Sequence, residues 1–139
     1  MLKVFVADDS KLIKDRLKEM LAAMENIDFV GESSNAVDAI RKIRRLNPHV
    51  VILDIRMPGG GGLAVLKDIK ARKSKQVVMV LTSYPYPQYR QAYLAAGADY
   101  FFDKTKDIQK MSDMLGEIAD KLIEIPDETE LKRHKKGEN

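Results

Sequence analysis

Four places in this 139-residue sequence carry side chains able to handle concentrated negative charge: Asp8-Asp9, Asp54, Thr82-Ser83 and Lys104. Three carboxylates brought together repel one another unless something neutralises them. A hard divalent cation with oxygen ligands does so, and Mg²⁺ suits one or two carboxylates plus waters and phosphate oxygens. A lysine ammonium and a threonine hydroxyl beside them can hold the remaining oxygens of a phosphoryl group. Phosphoryl transfer asks mainly for positioning and charge neutralisation, and a carboxylate can itself take the group as an acyl phosphate. That chemistry requires all these residues on one edge of the fold.

The elements between them supply such an edge. The short β-branched run 2–7, LKVFVA, reads as a strand ending at Asp8-Asp9. From Ser10 the period changes to helical, with Ile13, Leu17, Met20, Leu21 and Met24 in register. Ser10 or Asp9 is the expected N-cap. Residues 27–33 read as a second strand. Ala36, Ile40 and Ile43 mark a second helix, stopped before Asn47-Pro48. The continuous apolar run 50–54 fits a strand covered on both faces and ends on Asp54. Leu63, Leu66 and Ile69 give a third helix, 76–82 a fourth strand ending on Thr82, and about 86–96 a fourth helix stopped at Gly97. A short strand at 99–102 precedes Lys104. A long amphipathic helix then runs through Ile108, Met111, Leu115, Ile118 and Leu122. Five strand–helix units in succession imply a parallel sheet with helices on both faces, joined by right-handed crossovers. In such sheets ligands bind beyond the carboxyl ends of the strands, where the four chemical positions fall.

In this order and on these elements, the residues resemble the receiver domain of two-component response regulators over about residues 2–123. The resemblance rests on Asp8-Asp9, Asp54 in LDIRMP, Thr82-Ser83 and Lys104 in GADYFFDK. It implies an α/β, flavodoxin-like, doubly wound five-stranded sheet of order 2-1-3-4-5 with five helices. A receiver domain over 1–125 and a polar, flexible tail over 126–139 are expected. It also implies roles. Asp54 is the phosphoacceptor. Mg²⁺ or Mn²⁺ is held by Asp9, Asp54 and the backbone carbonyl of Arg56, with Asp8 acting through water. Thr82, with Ser83 beside it, and Lys104 engage the phosphoryl group, and Phe101 is the switch aromatic. Arg56 and Tyr84 occupy the positions that tune phosphate lifetime, and their bulk predicts a long-lived phosphorylated form. The implied partners are a sensor histidine kinase or a phosphotransfer protein. Output runs through the face of the fourth helix, fifth strand and fifth helix, to a protein target or a second copy of the chain. The domain would catalyse only its own phosphorylation and dephosphorylation.

Three departures from the family pattern stand out. The family often has Lys-Pro with a cis peptide after the fifth strand, where this chain has Lys104-Thr105. A cis bond before a residue other than proline costs about 2.5–4 kcal/mol, and the sequence leaves that isomer open. The switch aromatic is a phenylalanine, with no hydroxyl. In the run Gly59–Gly62, Gly62 matches a helix-opening glycine, and the other three read as extra freedom that predicts a mobile loop.

Other readings are narrower. With no cysteine, disulfides, thiolate metal sites and cysteine nucleophiles are excluded. The N-terminal apolar run is too short for a signal peptide or membrane span, so a cytoplasmic protein without membrane contact is expected. The net charge is +3. Its densest basic cluster, Lys132, Arg133, Lys135 and Lys136, is matched by Asp127, Glu128, Glu130 and Glu138, which reads as a solvated tail and not a nucleic-acid surface. Gly59-x-Gly61-x-x-Ala64 formally matches a dinucleotide fingerprint but lies in the wrong unit. A haloacid-dehalogenase-like phosphatase would want a second aspartate where Arg56 stands. All five tyrosines fall between 84 and 100. Tyr93 or Tyr100 is expected to pack the fourth helix, while Tyr86, Tyr89 and Tyr100 are candidates for the partner face. A phosphorylation-independent pseudo-receiver scaffold is the alternative reading.

Overall fold

The computed structural model describes residues 1–124. Strands β1 (Leu2–Ala7), β2 (Ile27–Ser33), β3 (Val50–Leu53), β4 (Val77–Thr82) and β5 (Tyr100–Asp103) form one parallel sheet of order β2-β1-β3-β4-β5. Helices α1 (Lys11–Ala22), α2 (Ala36–Leu46), α3 (Gly61–Ala71), α4 (Pro87–Ala95) and α5 (Ile108–Glu124) connect and follow them. The architecture is the expected one. The tail expected over 126–139 lies outside the described residues.

Strand periodicity divides the core in two. Successive side chains point to opposite faces, so Phe5, Ala7, Val51, Leu53, Val78 and Val80 join one cluster with residues of α2, α3 and α4. Val4, Val6, Val50, Ile52, Met79 and Leu81 join the other, with residues of α1 and α5. All twelve are essentially inaccessible, which is why the central strands read as unbroken apolar runs. Burying each large side chain contributes roughly 1.5–3 kcal/mol.

Local signals set the ends. Ser10 caps α1, its hydroxyl accepting from the Ile13 amide at 3.3 Å. Asn35 caps α2, accepting from the Asp38 amide at 2.8 Å. Asn47 closes α2 in the left-handed region, φ 48°, directly before Pro48. Helix α4 is the least anchored: nine residues, no side-chain N-cap bond and a single buried residue, Tyr93. No cis peptide bond occurs among the described residues, so Lys104–Thr105 is trans.

Candidate functional site

The carboxyl ends of β1, β3, β4 and β5 converge on one rim. Parallel pairing of β1 with β3 carries on for one bond past the strands, the Asp54 amide donating to the Ala7 carbonyl at 2.9 Å. This sets Asp54 beside Asp8. Each carboxylate is steered by a neighbouring amide: Asp8 Oδ1 accepts from Ser10 N at 2.8 Å, and Asp54 Oδ1 from Ile55 N at 2.8 Å. Asp8, Asp9 and Asp54 each offer an oxygen, all within 4.8 Å of one another. Asp8 and Asp54 are buried, whereas Asp9 is exposed.

Lys104 answers this charge. Its ammonium donates to Asp8 Oδ2 at 2.7 Å and Asp54 Oδ2 at 3.2 Å, with all three side chains at least nine-tenths buried. The backbone holds it there, because the Lys104 amide continues the β4–β5 pairing onto the Thr82 carbonyl at 2.9 Å. Burial pushes the Asp54 carboxyl up to about 6, helped by the Asp8 charge and opposed by Lys104. For Lys104, burial disfavours the charged form, but Asp8 and Asp54 together outweigh it and raise its pKa. Three carboxylates against one ammonium leave the pocket two positive charges short of balance. Oxygen-only donors, two of them buried, suit a hard divalent cation.

Thr82 is fully buried, and its hydroxyl accepts from the Tyr84 amide at 3.0 Å. Ser83 is exposed. Phe101 is 8% exposed and packs on Tyr93, ring centroids 6.4 Å apart. Arg90 lies near the Phe101 ring, its guanidinium 5.9 Å from the centroid. Arg56 is exposed and stacks its guanidinium 3.8 Å from the Tyr84 ring centroid. Tyr86, 51% exposed, lies 6.0 Å from Tyr89, centroid to centroid. Tyr100 is half-buried and stacks on Phe102 at 5.7 Å. Of the two tyrosines expected to pack helix α4, Tyr93 is the buried one.

The glycine run has more definite structural work than the sequence indicates. Gly59, Gly60 and Gly61 all have positive φ, 86°, 110° and 72°, a conformation that costs side-chain-bearing residues dearly. At Gly62 a Cβ would lie 2.2 Å from the Asp54 carbonyl oxygen. The loop is thus drawn tight beneath Asp54.

Two contributors were missed from sequence. Asp103 accepts from the Thr105 amide at 2.8 Å and the Thr105 hydroxyl at 2.7 Å, folding the turn that carries Lys104. The Asp-x-Thr spacing is an Asx-turn signal that could have shown it. Tyr93 reaches the acceptor loop: its hydroxyl lies 3.2 Å from the position a Gly62 Cβ would take. Helical spacing alone does not reveal that reach.

Residues 4–116 match the response regulator receiver domain family, and the chain belongs to it. Among curated relatives it is 32% identical, over 80% of its length, to the DNA-binding transcriptional activator DevR/DosR of Mycobacterium tuberculosis. It is 35% identical, over 90% of its length, to protein-glutamate methylesterase/protein-glutamine glutaminase 1 of Methanospirillum hungatei. The chain spans 50% of the first relative and 37% of the second. In fold it is similar to the response regulator domain of Thermotoga maritima CheB, with TM-score 0.75 and 24% identity, covering 91% of this chain and 99% of that one. It is also similar to the isolated receiver domain of RcsB from Salmonella enterica, solved with the phosphomimetic BeF3⁻: TM-score 0.70 and 28% identity, covering 75% of this chain and 78% of that one. No described helix is long and apolar enough to cross a membrane.

Proposed function

We propose that this domain is a cytoplasmic phosphoacceptor that takes a phosphoryl group on Asp54 from a phosphohistidine of a sensor histidine kinase or phosphotransfer protein. The observation that carries the reading is the buried Lys104 ammonium bridging Asp8 and Asp54. An Asp54 oxygen attacks phosphorus, the phosphorus–nitrogen bond breaks, and the imidazole leaves and is protonated by solvent. Asp9, Asp54 and the Arg56 carbonyl would hold Mg²⁺ or Mn²⁺, with Asp8 through water, and the ion would screen the charge gathering on the phosphoryl oxygens. Lys104 offers the second cation, already aimed at Asp54. Thr82 gives up its bond from the Tyr84 amide to donate to a phosphoryl oxygen, and Phe101, packed against Tyr93, follows it.

The stack of Arg56 on Tyr84 supports the reading that these bulky side chains crowd the approach of water to Asp54 and lengthen the life of the phosphorylated form. The added charge shifts a pre-existing two-state equilibrium of the α4–β5–α5 face, where Tyr86, Tyr89 and Tyr100 contact a protein target. Intact mass tests the central claim. Incubation with Mg²⁺ and a small acyl-phosphate donor should add one phosphoryl group, about 80 Da, absent without Mg²⁺ and in Asp54→Asn. No gain while Mg²⁺ still binds would leave phosphorylation by the kinase alone or the scaffold reading.

A further inference from the structure

The opposite end of the sheet holds a cavity that the phosphoryl chemistry does not use. It has a volume of about 520 Å³ and lies where the amino ends of β1 and β4 meet the α2–β3 turn and the last turns of α5. Leu2, Val77, Ile118 and Leu122 supply apolar lining. Lys3, Lys75 and Lys121 also line it and are exposed. Among the described residues, no aspartate or glutamate lines it. None of these three lysines forms an ion pair among the described residues, although nine other ion pairs occur there. An apolar trough with charge of one sign at its edge attracts an acidic chain bearing apolar side chains.

We propose that the occupant is this chain's own segment 125–131, IPDETEL. Helix α5 is followed to Glu124, two residues past Leu122 on the cavity wall. Pro126 disfavours carrying the helix further. Asp127, Glu128 and Glu130 then come before the next cation, Lys132, and Ile125 and Leu131 bracket them. Seven extended residues span up to ~23 Å, well beyond the width of such a cavity. Tethering places the acids at an effective concentration of order millimolar, so weak contacts suffice. Because the lysines are exposed, salt screens the attraction. Docking ties the end of α5 to the starts of β1 and β4, at the end of the sheet away from Asp54.

The absence of cysteine makes the test clean. A nitroxide on Thr129→Cys in the full chain should broaden the amide signals of Lys3, Asn47, Lys75 and Gln76. The broadening should fall several-fold in ~1 M salt, where the Debye length shrinks to about 3 Å. It should fall likewise with Lys75→Glu and Lys121→Glu together. A variant changed only in the tail, Asp127→Lys with Glu128→Lys and Glu130→Lys, should lose it without touching the folded domain. Broadening confined to the last turn of α5 overturns the proposal and leaves the cavity to an acidic ligand from outside the chain. Broadening at the cavity that survives both charge reversals overturns it too.

Discussion

At the carboxyl ends of the strands, Asp8, Asp54 and Lys104 are packed out of water against one another. At the amino ends, Lys3, Lys75 and Lys121 stand in solvent without carboxylate partners among the described residues. The same sheet thus carries charge in two energetic regimes. Buried charges interact strongly and their removal is felt, whereas exposed ones interact weakly and are screened. Chemistry on one group suits the buried end, and reversible contact suits the exposed one.

The largest break in this contrast comes from lysine truncation at each end. Lys104→Ala leaves two buried carboxylates without their cation and should lose about 3 kcal/mol in urea unfolding without divalent ions. Mg²⁺ should restore part of it. Lys75→Ala should change stability by no more than ~0.5 kcal/mol. Next is Gly62→Ala, which drives a methyl into the Asp54 carbonyl and should cost about 2–3 kcal/mol by overpacking. The same substitution should slow Asp54 phosphorylation by moving the acceptor.

Asp54→Asn should stabilise the ion-free protein by about 2 kcal/mol at pH 7, since it removes a carboxylate whose pKa folding raises to about 6. The sign follows from proton uptake. Between about pH 4 and 6 the folded state binds more protons at Asp54 than the unfolded state does, so this site's destabilisation appears as pH rises through that window. The advantage of Asp54→Asn should therefore shrink on acidification, measured by urea unfolding across that range.

The smallest effect lies at the other end and has the opposite sign. His49 Nδ1 accepts from the Lys3 amide at 2.8 Å. Burial, Lys3 and the N-terminus lower its pKa. Here the unfolded state binds the extra proton, so stability is lost as pH falls below the ordinary histidine range. Replacing His49 with Gln should flatten that part of the profile and leave the Asp54 part intact.

Sequence reading reached the five strand–helix units and the acid rim through simple periodicities, and the sheet order through the family resemblance. Runs such as VVIL and VVMVLT, short and β-branched, read as strands with two covered faces, and their ends carry the chemistry. What it did not reach depends on three-dimensional aim. Nothing in the spacing of Lys104 shows that its ammonium pairs more closely with Asp8 than with Asp54. Arg56 and Tyr84 were recognisable as bulky, but their stacking joins two loops distant in sequence. The glycines read as spare freedom, because a positive φ leaves no mark on residue type beyond glycine itself.

Helix α4 shows what a single anchor means mechanically. With only Tyr93 fully buried, it is a lever on one pin. The pin touches Phe101 on β5 and lies over the loop beneath Asp54. A tilt of the helix would therefore bear on both contacts at once, with the exposed Tyr86 at the end beyond the pin.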